Sequence, residues 1–171
     1  LKSHYQHNSN SDIGHLNIEY PTYMHPYLSF LHLFGVLINR RGKSIPTTVE
    51  KHMQGHIQFW KRTICFPGNK TILFNSFWIH DRKNELIEFI NPVIGLRMTV
   101  HVQNDKLHYE GCHFVIKIRK LLIPIPEWLL LGHTTITEAA LSDREFEMDF
   151  ILKHPLFSNI FRSYGGFKKI S

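Results

Sequence analysis

The sequence predicts a mainly β domain: an antiparallel meander of about eight to nine strands, strongly curved or barrel-like, with one N-terminal amphipathic helix. Three observations carry that expectation. Runs with a period of two fill the chain from Thr47 onward, turn-forming residues separate them at short intervals, and one helical periodicity precedes them all.

The alternation is clearest in two segments. Ile94, Leu96, Met98, Val100 and Val102 point one way, while Arg97, Thr99, His101 and Gln103 point the other. Phe146, Met148, Phe150 and Leu152 alternate in the same manner with Glu145, Glu147, Asp149 and Lys153. One dry face and one wet face mark antiparallel strands packed on one side. The punctuation is that of hairpins, at Gln54-Gly55, Pro67-Gly68-Asn69, Asp81-Arg82-Lys83-Asn84, Asn91-Pro92, Asn104-Asp105 and Ser142-Asp143. So many strands have to curl, close or be covered, since a flat sheet leaves unpaired edges. Residues 72–79 are apolar on both faces, which suits a core on one side and a helix, flap or cavity on the other.

The helix is read from Tyr27, Phe30, Leu31, Phe34, Leu37 and Ile38, which share one face at helical spacing. Pro26 suits its first turn, and Arg40, Arg41 and Gly42 suit its end. Residues 1–20 have linker composition and read as a flexible lead-in, leaving residues 21–171 as a single β domain. Residues 121–131 interrupt the meander. Pro124 and Pro126 argue against regular ladder pairing there, and Trp128-Leu129-Leu130-Leu131 reads as a helical turn or apolar flap.

Composition narrows the function classes. The 20 Lys+Arg against 14 Asp+Glu give a formal charge of +6, a mild excess that favours anionic partners. No basic cluster sits in a recognisable nucleic-acid motif, so nucleic acid is not an expected partner. The longest apolar stretches, residues 28–38 and 121–131, are too short to cross a bilayer as helices. Residues 1–17 are polar, unlike a signal peptide, and the expected location is cytoplasmic or peripheral to the cytoplasmic membrane face. The chain opens on Leu1, as a trimmed or partial product would, which leaves an upstream anchor or fused domain open. Cys65 and Cys112 lack a Cys-x-x-Cys spacing and read as buried free thiols, with one disulfide between them as the alternative.

The search for chemistry finds no catalytic motif, so the chain is not expected to be an enzyme. His52 and His56 have the spacing of a zincin helix, but the intervening Glu is missing and Gly55 argues against helix. A tight turn at Gln54-Gly55 would make them cross-strand neighbours still in need of a third ligand. No metal and no cofactor is expected. His101, His108 and His113 lie on adjacent strands without a nucleophile beside them, and Gly165-Gly166 lacks the spacing of a dinucleotide loop. Cys112 and His113, as strand neighbours, should face opposite sides and form no dyad.

Charged residues embedded in strands carry more information: Arg62, Glu110, Glu138, Asp149 and Arg162. They are either outer-face ion pairs worth about 0.2–1 kcal/mol each, or groups inside a curved sheet that orient a ligand head group. Trp60, Phe74, Trp78 and Phe89 would then line that site. On the second reading Trp60, Arg62, Glu138, Asp149 and Arg162 are candidate ligand-binding residues, with Trp128 in a lid. The leading expectation is a non-enzymatic binding module for an apolar or amphiphilic small molecule within a curved sheet. The alternative is an interaction domain that docks on a membrane surface or a partner protein.

Several short segments together resemble the bacterial DUF4166 family, a domain of unknown function. The run Leu122-Ile123-Pro124-Ile125-Pro126-Glu127-Trp128-Leu129-Leu130 is similar to that family's "LPLP…L" segment. Phe146-Glu147-Met148-Asp149-Phe150 resembles its "F-x-F-D-V" strand, and His154-Pro155-Leu156 with Phe161-Arg162 its "HPL…VR" strand. Trp60-Lys61-Arg62 with Phe66 matches "W-x-R…F". Ser158 stands where the pattern has Gly, and Ser163-Tyr164-Gly165-Gly166 replaces a "Y-R-G-W" run. The resemblance spans about residues 22–168. It implies a domain found alone, behind NAD(P)-binding saccharopine-dehydrogenase-like domains, or behind membrane-spanning segments. An accessory domain to an oxidoreductase is therefore a further alternative.

Overall fold

A computed structural model describes residues 9–170, so the part of the expected flexible lead-in at residues 1–8 lies outside the described residues. Eleven strands follow in chain order: β1 (Ser9–Glu19), β2 (Gly42–Gln54), β3 (Ile57–Phe66), β4 (Lys70–His80), β5 (Glu85–Phe89) and β6 (Ile94–Gln103), then β7 (Lys106–Ile118), β8 (Leu121–Ile125), β9 (His133–Ala140), β10 (Glu145–His154) and β11 (Ser158–Lys169). Among the described residues there is one α-helix, α1 (His25–His32), between β1 and β2, and 3₁₀ turns occupy Thr22–Met24 and Glu127–Leu129.

The strands run antiparallel in the order β6-β5-β4-β3-β2-β1-β11-β10-β9-β7, and pairing of β6 with β7 closes the ring. The result is a ten-stranded barrel with β8 as an extra strand. The barrel-like expectation holds, with more strands than expected. The missed strands have polar or proline-bearing sequences. In β1 the inward positions include Asn10 and Asp12, so no apolar alternation marks the strand, yet it pairs with β2 on one side and β11 on the other. In β8, Val115 pairs opposite Pro124. Pairing survives because β8 is an edge strand, where a proline lacking an N–H leaves no ladder partner unmet.

Each expected hairpin signal separates two strands, and Asn104 and Asp105 both take left-handed φ, as the tightest hairpin turns require. The interior alternation of β6 and β10 is also observed: Leu96 and Met98, and Phe146 and Leu152, are buried in the main core. A bulge opposite Arg97 and Met98 shifts the phase of β7. Cys112 and His113 consequently share the outer face, where both border one depression with Arg97 and Glu85. The expectation that they face opposite sides fails for that reason.

The helix is shorter than expected and rotated. It ends at His32, and Gly35 turns the chain at φ +71. Leu28 and Leu31 are buried, while Phe30 and Phe34 stay about half exposed. Met24, Leu28, Leu31, Val36, Leu37 and Ile38 join Leu16, Leu152 and Phe161 in the main core. The segment therefore caps one end of the barrel. A second, smaller cluster of Ile87, Phe89 and Val115 packs with Phe77 and Leu122. Both cysteines are free and exposed, which corrects the expectation of buried thiols.

Candidate functional site

A ring of ten strands is wider than the eight-stranded barrels whose interiors side chains just fill. Here aromatic and charged residues occupy much of the interior, and an apolar cavity of about 140 Å³ lies between them and the cap. Leu16, Ile64, Phe114, Ile136, Phe150 and Phe161 face it from the sheet, and Val36, Leu37, Ile38 and Leu131 close it from the cap.

Polar groups border the cavity at three places, one of them Ser163 on β11. On one wall Arg62 donates to Ser76 Oγ at 2.8 Å and to Glu88 Oε1 at 3.2 Å, and Ser76 Oγ donates to the same Glu88 oxygen at 2.6 Å. Register explains the grouping: Trp78 pairs with Glu88 and Trp60 with Ser76, so alternate residues of β3, β4 and β5 point inward together. The second place is Thr134, wholly buried on β9, whose Oγ1 has no hydrogen-bond partner among the described residues. Its backbone N–H donates to Glu127 Oε1 at 3.1 Å, and His133 Nδ1 lies 2.8 Å from Glu127 Oε2. A Cβ on Gly111 would fall on that same carboxylate, so only glycine lets Glu127 seat there.

Beyond Trp60 lies a further set of buried charges. Lys51 Nζ is 3.0 Å from Asp12 Oδ2, and the two side chains are 3% and 0% exposed. Glu138 and Asn10 are buried too, and the Glu138 charge acts on Lys51. Lys51 and Arg62 both lie within cation–π range of Trp60, at 4.5 and 4.9 Å, and Trp60 packs on Trp78. Desolvation lowers the Lys51 pKa below its ordinary value, opposed by Asp12 and Glu138.

The structure thus gathers three of the sequence-derived candidates, Trp60, Arg62 and Glu138, inside the barrel. It places Asp149 and Arg162 on the outer face, where Arg162 clasps Asp149 with two bonds of 2.9 and 2.8 Å and lies over Tyr164. Trp128 stands on the 3₁₀ turn, 57% exposed, away from the cavity wall. Of the expected lining, Phe74 faces the cavity and Trp78 the main core, whereas Phe89 belongs to the smaller cluster. Sequence reasoning missed Asp12, Lys51, Ser76, Glu88 and Thr134. A strand-phase signal existed for Lys51, two residues beyond Val49 and six beyond Ile45 on the same inward side.

The histidines are dispersed. His52 stacks on Phe59, and His101 stacks on His108, which lies 3.3 Å from Thr137 Oγ1. Among the described residues no group of three or more His, Cys, Asp or Glu could hold a metal ion. Partial desolvation and the Glu85 charge raise the Cys112 pKa, the wrong direction for a nucleophile.

Fold and site together define a capped antiparallel β-barrel domain with an apolar interior cavity. The chain belongs to the DUF4166 family, a domain of unknown function, whose family model matches residues 1–167. Ser158, where the family pattern has Gly, takes a left-handed φ of 59 in the β10–β11 hairpin, the conformation glycine adopts freely. A search of curated proteins finds no match. Among solved structures, a Thermobifida fusca YX protein described as "a putative thioesterase II" is similar at 10% identity and a TM-score of 0.31, over 96% of this chain and 79% of that one. A likeness at that score carries no argument about activity.

Proposed function

We propose that this domain is a non-enzymatic binding module that takes a small apolar group, carrying at most one hydrogen-bonding function, into the barrel beneath the cap. The observation that carries the reading is the apolar cavity of about 140 Å³ with the unpartnered Thr134 hydroxyl on its wall. Its size sets the ligand class. An engineered cavity of about 150 Å³ encloses benzene, whereas drug-sized ligands occupy roughly 300–1,000 Å³. The fitting ligand is one ring or a short alkyl segment, free or at the end of an amphiphile. Arg62 already serves Glu88 and Ser76, so the wall offers little to a ligand carboxylate, and a neutral hydroxyl or carbonyl suits Thr134 better.

Titration calorimetry with benzene and phenol tests this. Phenol is expected to bind up to roughly tenfold more tightly than benzene, because it pairs with the Thr134 hydroxyl that benzene leaves unsatisfied, and a net hydrogen bond is worth about 0.5–1.5 kcal/mol. In Thr134→Val the preference should vanish or invert, and Ile136→Phe, which fills the cavity, should abolish both. If wild type takes up neither probe, and native mass spectrometry of freshly purified protein shows no bound small molecule, the reading fails.

A further inference from the structure

The capped end of the barrel differs from the rest of the surface in two independent respects, and both point to the same partner. The first is exposed apolar area. Leu33 and Leu156 are 80% and 81% exposed, and Tyr23, Trp128, Leu129 and Phe157 each more than half. They come from three separate segments that the structure ties together. Tyr23 Oη donates to the Phe157 carbonyl at 3.2 Å, His154 Nε2 lies 2.8 Å from the Trp128 carbonyl and its ring packs on Phe157, and Tyr27 Oη donates to the Leu130 carbonyl at 2.6 Å. Large apolar side chains projecting from segments that are joined in this way mark a binding surface rather than the scattered hydrophobes of an ordinary exterior.

The second respect is charge. The loops and strand ends on this side carry Arg41, Lys43, Lys70, Arg119, Lys120 and Lys153, all exposed. Glu19, at the end of β1, accepts from Tyr164 Oη, and Glu127 accepts from the Thr134 N–H beside His133, so these cations outnumber the two carboxylates. Apolar projections together with cations at the strand ends of the same side match the interface of an anionic bilayer, where rings and leucines enter the acyl boundary and Lys or Arg meet the lipid phosphates. A soluble protein partner would call for complementary polar contacts, and the three segments offer few. Among the described residues no helix is long and apolar enough to cross a membrane.

We infer that the capped end docks on membrane surfaces rich in anionic lipid, with Leu33, Trp128, Leu129 and Leu156 entering the interface and the surrounding Lys and Arg side chains contacting lipid phosphates. This is independent of what the cavity holds.

Vesicle co-sedimentation tests it, using phosphatidylcholine alone and phosphatidylcholine with roughly a third phosphatidylglycerol. Wild type should bind the anionic vesicles at least about tenfold more tightly than the neutral ones and lose most of that advantage in about 0.5 M salt. Trp128 emission should shift to the blue on binding, with Trp128→Phe, which leaves only the interior Trp60 and Trp78, removing the shift. The pair Leu33→Ser and Leu156→Ser should weaken binding by about tenfold or more, whereas Arg119→Glu with Lys120→Glu should abolish the lipid preference. These four sites are exposed, and unchanged circular dichroism confirms that each variant folds. The inference is overturned if wild type ignores anionic vesicles, if Trp128 emission stays fixed, or if sedimentation shows that this end pairs two copies of the chain and the serine pair dissolves the dimer.

Discussion

Lys51 shows what the interior demands of single residues. Its ammonium sits against Asp12 and over Trp60 and Phe146, and both ion-pair partners are withdrawn from water. Burial favours the neutral amine and lowers its pKa, while Asp12 and Glu138 pull the other way. Between the lowered value and the ordinary 10.5, the folded chain holds fewer protons at this site than the unfolded chain. The site's contribution to stability therefore rises with pH across that window. Removing the cation is a different matter, because it strands the Asp12 carboxylate in the interior. Lys51→Met should lower unfolding stability by about 3 kcal/mol in urea titrations at neutral pH. A loss below about 1 kcal/mol would show that the pair contributes little to folding. Such a residue is hard to find from sequence, since β2 is polar at both phases around it: Glu50 and His52 face out beside an inward Lys51. Arg62 was easier to single out, because Trp60 and Ile64 flank it at the same phase.

At the scale of elements, several side-chain hydrogen bonds hold the cap, and Tyr27 makes the one that joins α1 to a distant segment. Its hydroxyl reaches from α1 to the Leu130 carbonyl, joining the helix to the segment that follows the Glu127–Leu129 turn. Burial raises the phenol's pKa above its ordinary 10.0. The folded chain keeps that proton at pH values where the unfolded chain loses it. The stabilisation is complete below 10.0 and falls away as pH rises through the folded value. Tyr27→Phe should cost about 1 kcal/mol at neutral pH and reduce the loss of stability on going above pH 10, read by denaturant unfolding at both pH values. If the variant shows the same alkaline slope as wild type, the Tyr27 hydroxyl does not hold the cap. Legibility varied with the kind of element. Strands with one dry face, such as β6 and β10, could be read directly, because burial on one side writes a period of two. The helix was overextended because Leu37 and Ile38 are buried by a turning chain after Gly35 rather than by a further helical turn. The β7 bulge has one local mark, Gly111 beside Cys112 within the strand, but its place is set by register with β6.

For the molecule as a whole, closure of ten strands creates more interior than a meander's own side chains fill, and the chain meets that excess in two ways. Charged and aromatic residues occupy the half around Lys51 and Trp60, and the α1 segment closes the half around Leu28 and Phe161, leaving the cavity beneath it. The barrel was foreseeable from strand number and the need to hide edges. The cavity was not, because its lining comes from nine of the eleven strands, all but β2 and β8, and from the cap, and residues so far apart in sequence meet only through sheet register. The same distance in sequence explains why Thr134, whose apolar neighbours around the cavity come from other strands, looked ordinary on β9. The central claim is that this interior space exists, is apolar and admits a small guest. Diffraction from a xenon-pressurised crystal measures that directly. A single strong xenon peak bounded by Leu16, Ile136, Phe161 and Leu37 is the expected result. An interior without a xenon peak, filled instead by repacked side chains, would contradict it.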